Sequence, residues 1–195
     1  VITIWLCYIL TEHDHRLLAV REWVNERREL FDRLLGIQLR DTDLTDDRLA
    51  ICLTLLGDST HQTALDEALV QSWITLYELP TTTTRHDSTT VSVYQDMDEE
   101  EETDSILGYG HSKDHRPDLK QFKVMLSTLD PVGLPLTCQV VNGKRADDKL
   151  YIPSYESAAV ALGHRRFLAV GDSKMGAIGT RCYLAAKGSF YLTAF

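Results

Sequence analysis

The spacing of apolar positions changes near residue 80. Before it the period is helical. Leu17, Val20, Val24, Phe31, Leu34 and Leu35 recur at helical spacing, with Glu29 and Arg33 an i,i+4 pair off that stripe. Gly36 ends the pattern. Thr45 suits an N-cap, and Asp46 and Asp47 follow in the first turn, where acids favour the helix dipole. That helix carries Leu49, Leu53 and Leu56, and Gly57 stops it. Leu65, Ala68, Leu69, Ser72, Trp73, Leu76 and Tyr77 predict a further helix, stopped by Pro80. The opening run VITIWLCYIL fits a buried helix or a strand. It is too short to span a membrane, and it lacks the basic region and cleavage site of a signal peptide. The first residue is Val1 rather than Met, so further residues are expected upstream.

After residue 80 the pattern alternates. TTTTRHDSTTVSVY is rich in β-branched residues and reads as a strand, with Asp87, Thr89, Val91 and Val93 on one face and Ser88, Thr90, Ser92 and Tyr94 on the other. Strands are predicted at 120–129 and 134–141, joined by the Asp130-Pro131-Val132-Gly133 turn. A helix capped by Ser154 runs to Leu162, a short strand covers 167–171, a helix fits 174–187, and a last strand starts at Phe190. The fold class is therefore α/β: three antiparallel strands, then strand, helix, strand in right-handed parallel crossovers, preceded by a helical region. The domain division is 1–80 and 81–195.

Parallel sheets bind ligands beyond the carboxyl ends of their strands. Asp172 closes FLAVGD and falls at that edge, while Asp87 begins the first strand or lies within it. Antiparallel neighbours could bring the two together. Carboxylates so placed suit divalent-metal chemistry on phosphodiesters, which needs hard oxygen ligands from separate elements. The plainer alternative for Asp172 is a helix cap. For Asp87, an ion pair with Arg85 or a lysine competes with a metal.

Charge sharpens this picture. Overall the chain carries −9, but residues 1–80 hold seven arginines against fourteen acids, while residues 111–195 hold twelve basic residues against seven acids. The basic part surrounds Asp172 and could meet phosphates. Within Gly108–Lys123, Lys113, Arg116, Lys120 and Lys123 are candidate phosphate contacts, and Lys174 is another beside Asp172. His111 and His115 have HxxxH spacing, but Gly108, Gly110 and Pro117 argue against the helix that zinc would need there. The acidic run Asp98–Glu102 reads as a solvated hairpin loop. Phosphate-loop, nucleophile-elbow and dinucleotide motifs are missing. Four scattered cysteines form no CxxC pair, which fits a reducing cytosol.

Taken in order, HDSTTVSVY, GYGHSKDHRPDLKQFKVMLSTLDPVGLPL, NGKRADDKLYIP, VGDSKMG and YL resemble the catalytic core of bacterial DDE-type insertion-sequence transposases. The resemblance runs from about residue 85 to the end, and its long central block is the specific part. It implies a ribonuclease-H-like mixed sheet and Mg²⁺ (or Mn²⁺)-dependent cleavage and strand transfer at transposon ends. Asp87 and Asp172 would be the first two catalytic, metal-binding acids. The third family acid, a glutamate on a later helix, has no match: Glu156 precedes Asp172 and is out of order. The expectation is thus an N-terminal fragment, incomplete at the C-terminus of its core, with two of three ligands. The implied partners are double-stranded DNA, both transposon ends and target, and further copies in a synaptic complex, with no membrane. The implied location is the bacterial cytoplasm, at the nucleoid. A non-catalytic DNA-binding or inhibitory chain, or a degenerate remnant, is the alternative.

Overall fold

The computed structural model describes residues 1–94, 106–110 and 116–194. The chain divides into two compact units, Val1–Ala64 and Leu65–Phe195. The acidic run and residues 111–115, including His111, Lys113 and His115, lie outside the described residues.

The first unit is helical. The opening apolar run forms α1 (Ile2–Glu12). The stripe from Leu17 to Leu35 makes two helices rather than one, α2 (Leu17–Asn25) and α3 (Arg28–Leu35), because the backbone leaves helical geometry at Arg27. Gly36 ends α3 with φ 65°, a left-handed cap that costs glycine little. Thr45 caps α4 (Asp46–Gly57), its hydroxyl accepting from the Arg48 amide. Ile4, Val20, Val24, Phe31 and Leu49 form the centre of this unit's core. α5 (Ser59–Tyr77) crosses the division and supplies Val70 to the second core.

The second unit is a five-stranded mixed sheet in the order β3-β2-β1-β4-β5. β1 (Thr83–Ser92), β2 (Gln121–Leu129) and β3 (Leu134–Asn142) pair antiparallel, as the alternation predicted. β4 (Leu168–Gly171) and β5 (Phe190–Thr193) run parallel to β1. A short 3-10 turn, Asp147–Leu150, leads into α6 (Tyr151–Leu162), and α7 (Ile178–Ala186) connects β4 to β5. Gly108 bridges to Gln121 at the start of β2. A Cβ on Gly110 would collide with the Gly143 backbone and the Gln121 side chain, and one on Gly143 with Gln121, so the GYG and NGK blocks meet there by close backbone approach.

Two departures from the sequence pattern bear on the site. The buried face of β1 is the polar one, Thr84, His86 and Ser88, while Asp87 and Thr89 face outward. And α6 starts three residues before Ser154, with Pro153 tolerated in its first turn. Ser154 is therefore no cap. Its hydroxyl lies fully buried, 2.8 Å from His86 Nδ1, and Thr84 Oγ1 lies 2.9 Å from His86 Nε2. These hydroxyls pair the ring on both sides, which is what a buried polar strand face requires.

Candidate functional site

β1 and β4 are direct parallel neighbours, with His86 opposite Gly171. The next residue on each side is Asp87 and Asp172. Parallel pairing, rather than the antiparallel neighbours that could have done so, therefore puts each acid one residue beyond the last paired position of two adjacent strands. β4 ends there while β1 continues to Ser92, so Asp87 stands within its strand and Asp172 in the loop that follows β4.

Both side chains are exposed, and each has one oxygen engaged by the protein. Asp87 Oδ1 accepts from the Ser88 amide at 2.8 Å. Asp172 Oδ1 accepts twice, from the Tyr151 hydroxyl at 2.5 Å and from the Lys174 amide at 2.9 Å. No hydrogen bond among the described residues reaches the Oδ2 of either. The Asp172 backbone is held as well, its carbonyl accepting from the Thr193 hydroxyl on β5 and from the Met175 amide. Because α7 starts only at Ile178, Asp172 closes a local turn and is not the cap of that helix. Arg85 does not compensate Asp87 either: it pairs with Asp130 at 2.7 Å.

Tyr151 is the residue that sequence reasoning missed. It opens α6 and is 1% exposed. Burial raises its phenol pKa first, then the hydrogen bond to Asp172, then the charges of Asp172, Asp87 and Asp147. The phenol thus stays protonated and donates to Asp172. Tyr151 lies in the NGKRADDKLYIP block, but no spacing rule separates it from a core tyrosine.

The candidate phosphate contacts divide. Lys174 is exposed and lines a groove of about 480 Å³ with Ser173, Asp147 and Asp148. Arg116 is exposed, paired with Asp118 at 2.6 Å and lying over the Tyr94 ring. Lys120 is half-buried just before β2. The structure places Lys123 away from the surface position a phosphate contact needs. It is 5% exposed, and its ammonium donates to Asp147 Oδ1 at 2.7 Å and to the Arg145 carbonyl at 2.8 Å. Lys144, Arg145 and Lys149 are exposed around that segment and were not singled out by sequence.

Glu156 is committed elsewhere. Its two oxygens take the Arg165 guanidinium at 2.7 and 2.6 Å, and Oε1 also accepts from the Tyr183 hydroxyl. Among the described residues, no three His, Cys, Asp or Glu side chains form a group that could hold a metal. Nor is any described helix long and apolar enough to cross a membrane.

These observations define a mixed α/β protein whose central parallel strand pair presents two aspartates. No protein-family model matches the sequence, and neither does any curated protein. Among solved structures, the Mos1 transposase paired-end complex with left transposon end is similar at TM-score 0.38 and 9% identity, over 91% of this chain and 58% of that one. A pre-cleavage Mos1 transpososome gives 0.38 and 9%, over 88% and 57%. The Mos1 strand transfer complex gives 0.35 and 11%, over 91% and 57%. The chain therefore spans less than two thirds of the length of these solved chains.

Proposed function

We propose that Asp87 and Asp172 bind a divalent cation for phosphodiester cleavage and strand transfer on DNA, in a ribonuclease-H-like core of the DDE transposase type. The observation that carries this reading is the β1–β4 register, which brings Asp87, within β1, and Asp172, just after β4, to the end of the same parallel ladder. The three antiparallel strands followed by two parallel ones support the same fold reading.

The donor set fits the metal. Mg²⁺ prefers hard oxygens and is commonly held by one or two carboxylates, waters and substrate phosphates. Here Oδ1 of each aspartate is tied to protein donors, and no hydrogen bond among the described residues reaches either Oδ2. A bound Mg²⁺ would supply Lewis-acid activation of the phosphodiester and of the attacking hydroxyl. The chain's own contribution is to hold the two carboxylates near one another and oriented. Lys174 lines the neighbouring groove, which supports the reading that it would meet a DNA phosphate.

A second reading is a chain that binds DNA without cutting it. The engagement of Glu156 by Arg165 and Tyr183 favours it, because that acid is not free to complete the set. Nicking of supercoiled plasmid with Mg²⁺ or Mn²⁺ distinguishes the two. Cleavage lost in both Asp87→Asn and Asp172→Asn supports the enzyme. Salt-dependent binding without cleavage supports the second reading, and neither activity at low salt refutes both.

A further inference from the structure

We infer that Tyr151 is a positioning residue for Asp172, fixing which carboxylate oxygen is left for a cation. The inference rests on the metal-binding reading of the aspartate pair. Asp172 sits in an exposed turn, where a carboxylate free to rotate about its Cβ–Cγ bond would present either oxygen. Two donors converge on the same one: the Tyr151 hydroxyl and the Lys174 amide both reach Oδ1. Among the described residues no hydrogen bond reaches Oδ2.

The tyrosine itself cannot drift. It is fully buried at the first position of α6, within the main hydrophobic core of its unit. Its ring lies against β4 because residue 171 is glycine: a Cβ there would come 3.1 Å from Tyr151 Cε1. A rigid phenol thereby transmits the position of the helix to an exposed carboxylate. Partners of this kind orient metal ligands, and their loss commonly costs about 10–100-fold in metal affinity. Tyr155, one turn further along α6, provides an internal control. Its hydroxyl pairs with Ser189, away from the carboxylates.

The test is Mn²⁺ binding to the 195-residue chain, followed by electron paramagnetic resonance. Tyr151→Phe should weaken binding about tenfold at unchanged melting temperature, and Tyr155→Phe should leave affinity unchanged. In the wild-type chain labelled with ¹³Cζ-tyrosine, Mg²⁺ should shift the Tyr151 resonance and not that of Tyr155, a measurement that needs no variant to fold. Wild-type Mn²⁺ affinity in a folded Tyr151→Phe chain overturns the positioning role. Wild-type affinity in both Asp87→Asn and Asp172→Asn, or no Mn²⁺ binding by the parent chain, overturns the metal site itself and this inference with it.

Discussion

Ser154 on α6 and His86 on β1 share a buried hydrogen bond, 2.8 Å from hydroxyl to ring nitrogen. The pair pins the helix to the strand that carries Asp87. Burial holds the imidazole neutral and depresses its pKa to about 4. In the unfolded chain a histidine titrates near 6.5. The stabilisation from keeping it neutral is therefore complete above about pH 6.5. It is lost as pH falls through 6.5 toward 4, because the unfolded chain takes up a proton that the folded chain refuses. The loss should approach about 3 kcal/mol at pH 4. Urea unfolding of wild type and His86→Gln at pH 7, 6 and 5 checks it. The wild type should lose stability across that range and the variant much less. Parallel pH profiles would remove His86 as the source.

The Lys123–Asp147 pair makes a different prediction from a DNA contact. Lys123 is 6% exposed at its side chain and Asp147 23%. Removing the lysine alone leaves a half-buried carboxylate without its cation. Lys123→Met should destabilise the second unit by about 3 kcal/mol, and adding Asp147→Asn should recover a large part of that. A double-mutant cycle on unfolding free energy measures the coupling. A Lys123→Met chain as stable as wild type, with weakened salt-dependent DNA binding, would return this lysine to the surface role expected from sequence.

Glu156 should behave as a structural acid. Arg165 lowers its pKa first, through a two-point hydrogen-bonded pair, and the Tyr183 hydroxyl adds to the effect. Glu156→Gln should cost about 1 kcal/mol or less, since the pair is partly exposed and solvent-screened. It should leave Mn²⁺ affinity at its wild-type value. A melting curve and a metal titration on the same sample separate the two effects. A large fall in metal affinity without loss of stability would mean that Glu156 reaches the cation after all.

What the sequence made legible was periodic. The switch from helical to alternating spacing near residue 80 located the strands to within a residue or two, and the Asp-Pro-Val-Gly turn fixed the β2–β3 hairpin. Side-chain roles were harder because they depend on neighbours far apart in the chain. Ser154 reads as a cap from its surroundings, yet tertiary packing draws it onto His86, 68 residues away. Lys123 reads as basic surface, yet the NGK turn brings Asp147 over it. The alternation in β1 showed two faces without showing that the polar one is inward. Asp87 and Asp172 were found as residues, but their adjacency came from a parallel strand pairing that no local pattern encodes.

Gly171 tests how tightly that adjacency is built. It ends β4, one residue before Asp172, and an added Cβ would lie 2.4 Å from Met175 Sδ, 2.9 Å from Met175 Cβ and 3.1 Å from Tyr151 Cε1. The methionine sulfur is a flexible end and can move, but its Cβ and the tyrosine ring are fixed by the core. Gly171→Ala should therefore cost about 1–3 kcal/mol through overpacking. The relief open to the chain is to push Tyr151 or the 172–175 turn outward, and either shift lengthens the hydrogen bond to Asp172. Metal affinity should fall with stability in Gly171→Ala, whereas in Tyr151→Phe it should fall alone. A Gly171→Ala chain with wild-type stability and wild-type Mn²⁺ affinity would show that the β4 edge is looser than its contacts imply.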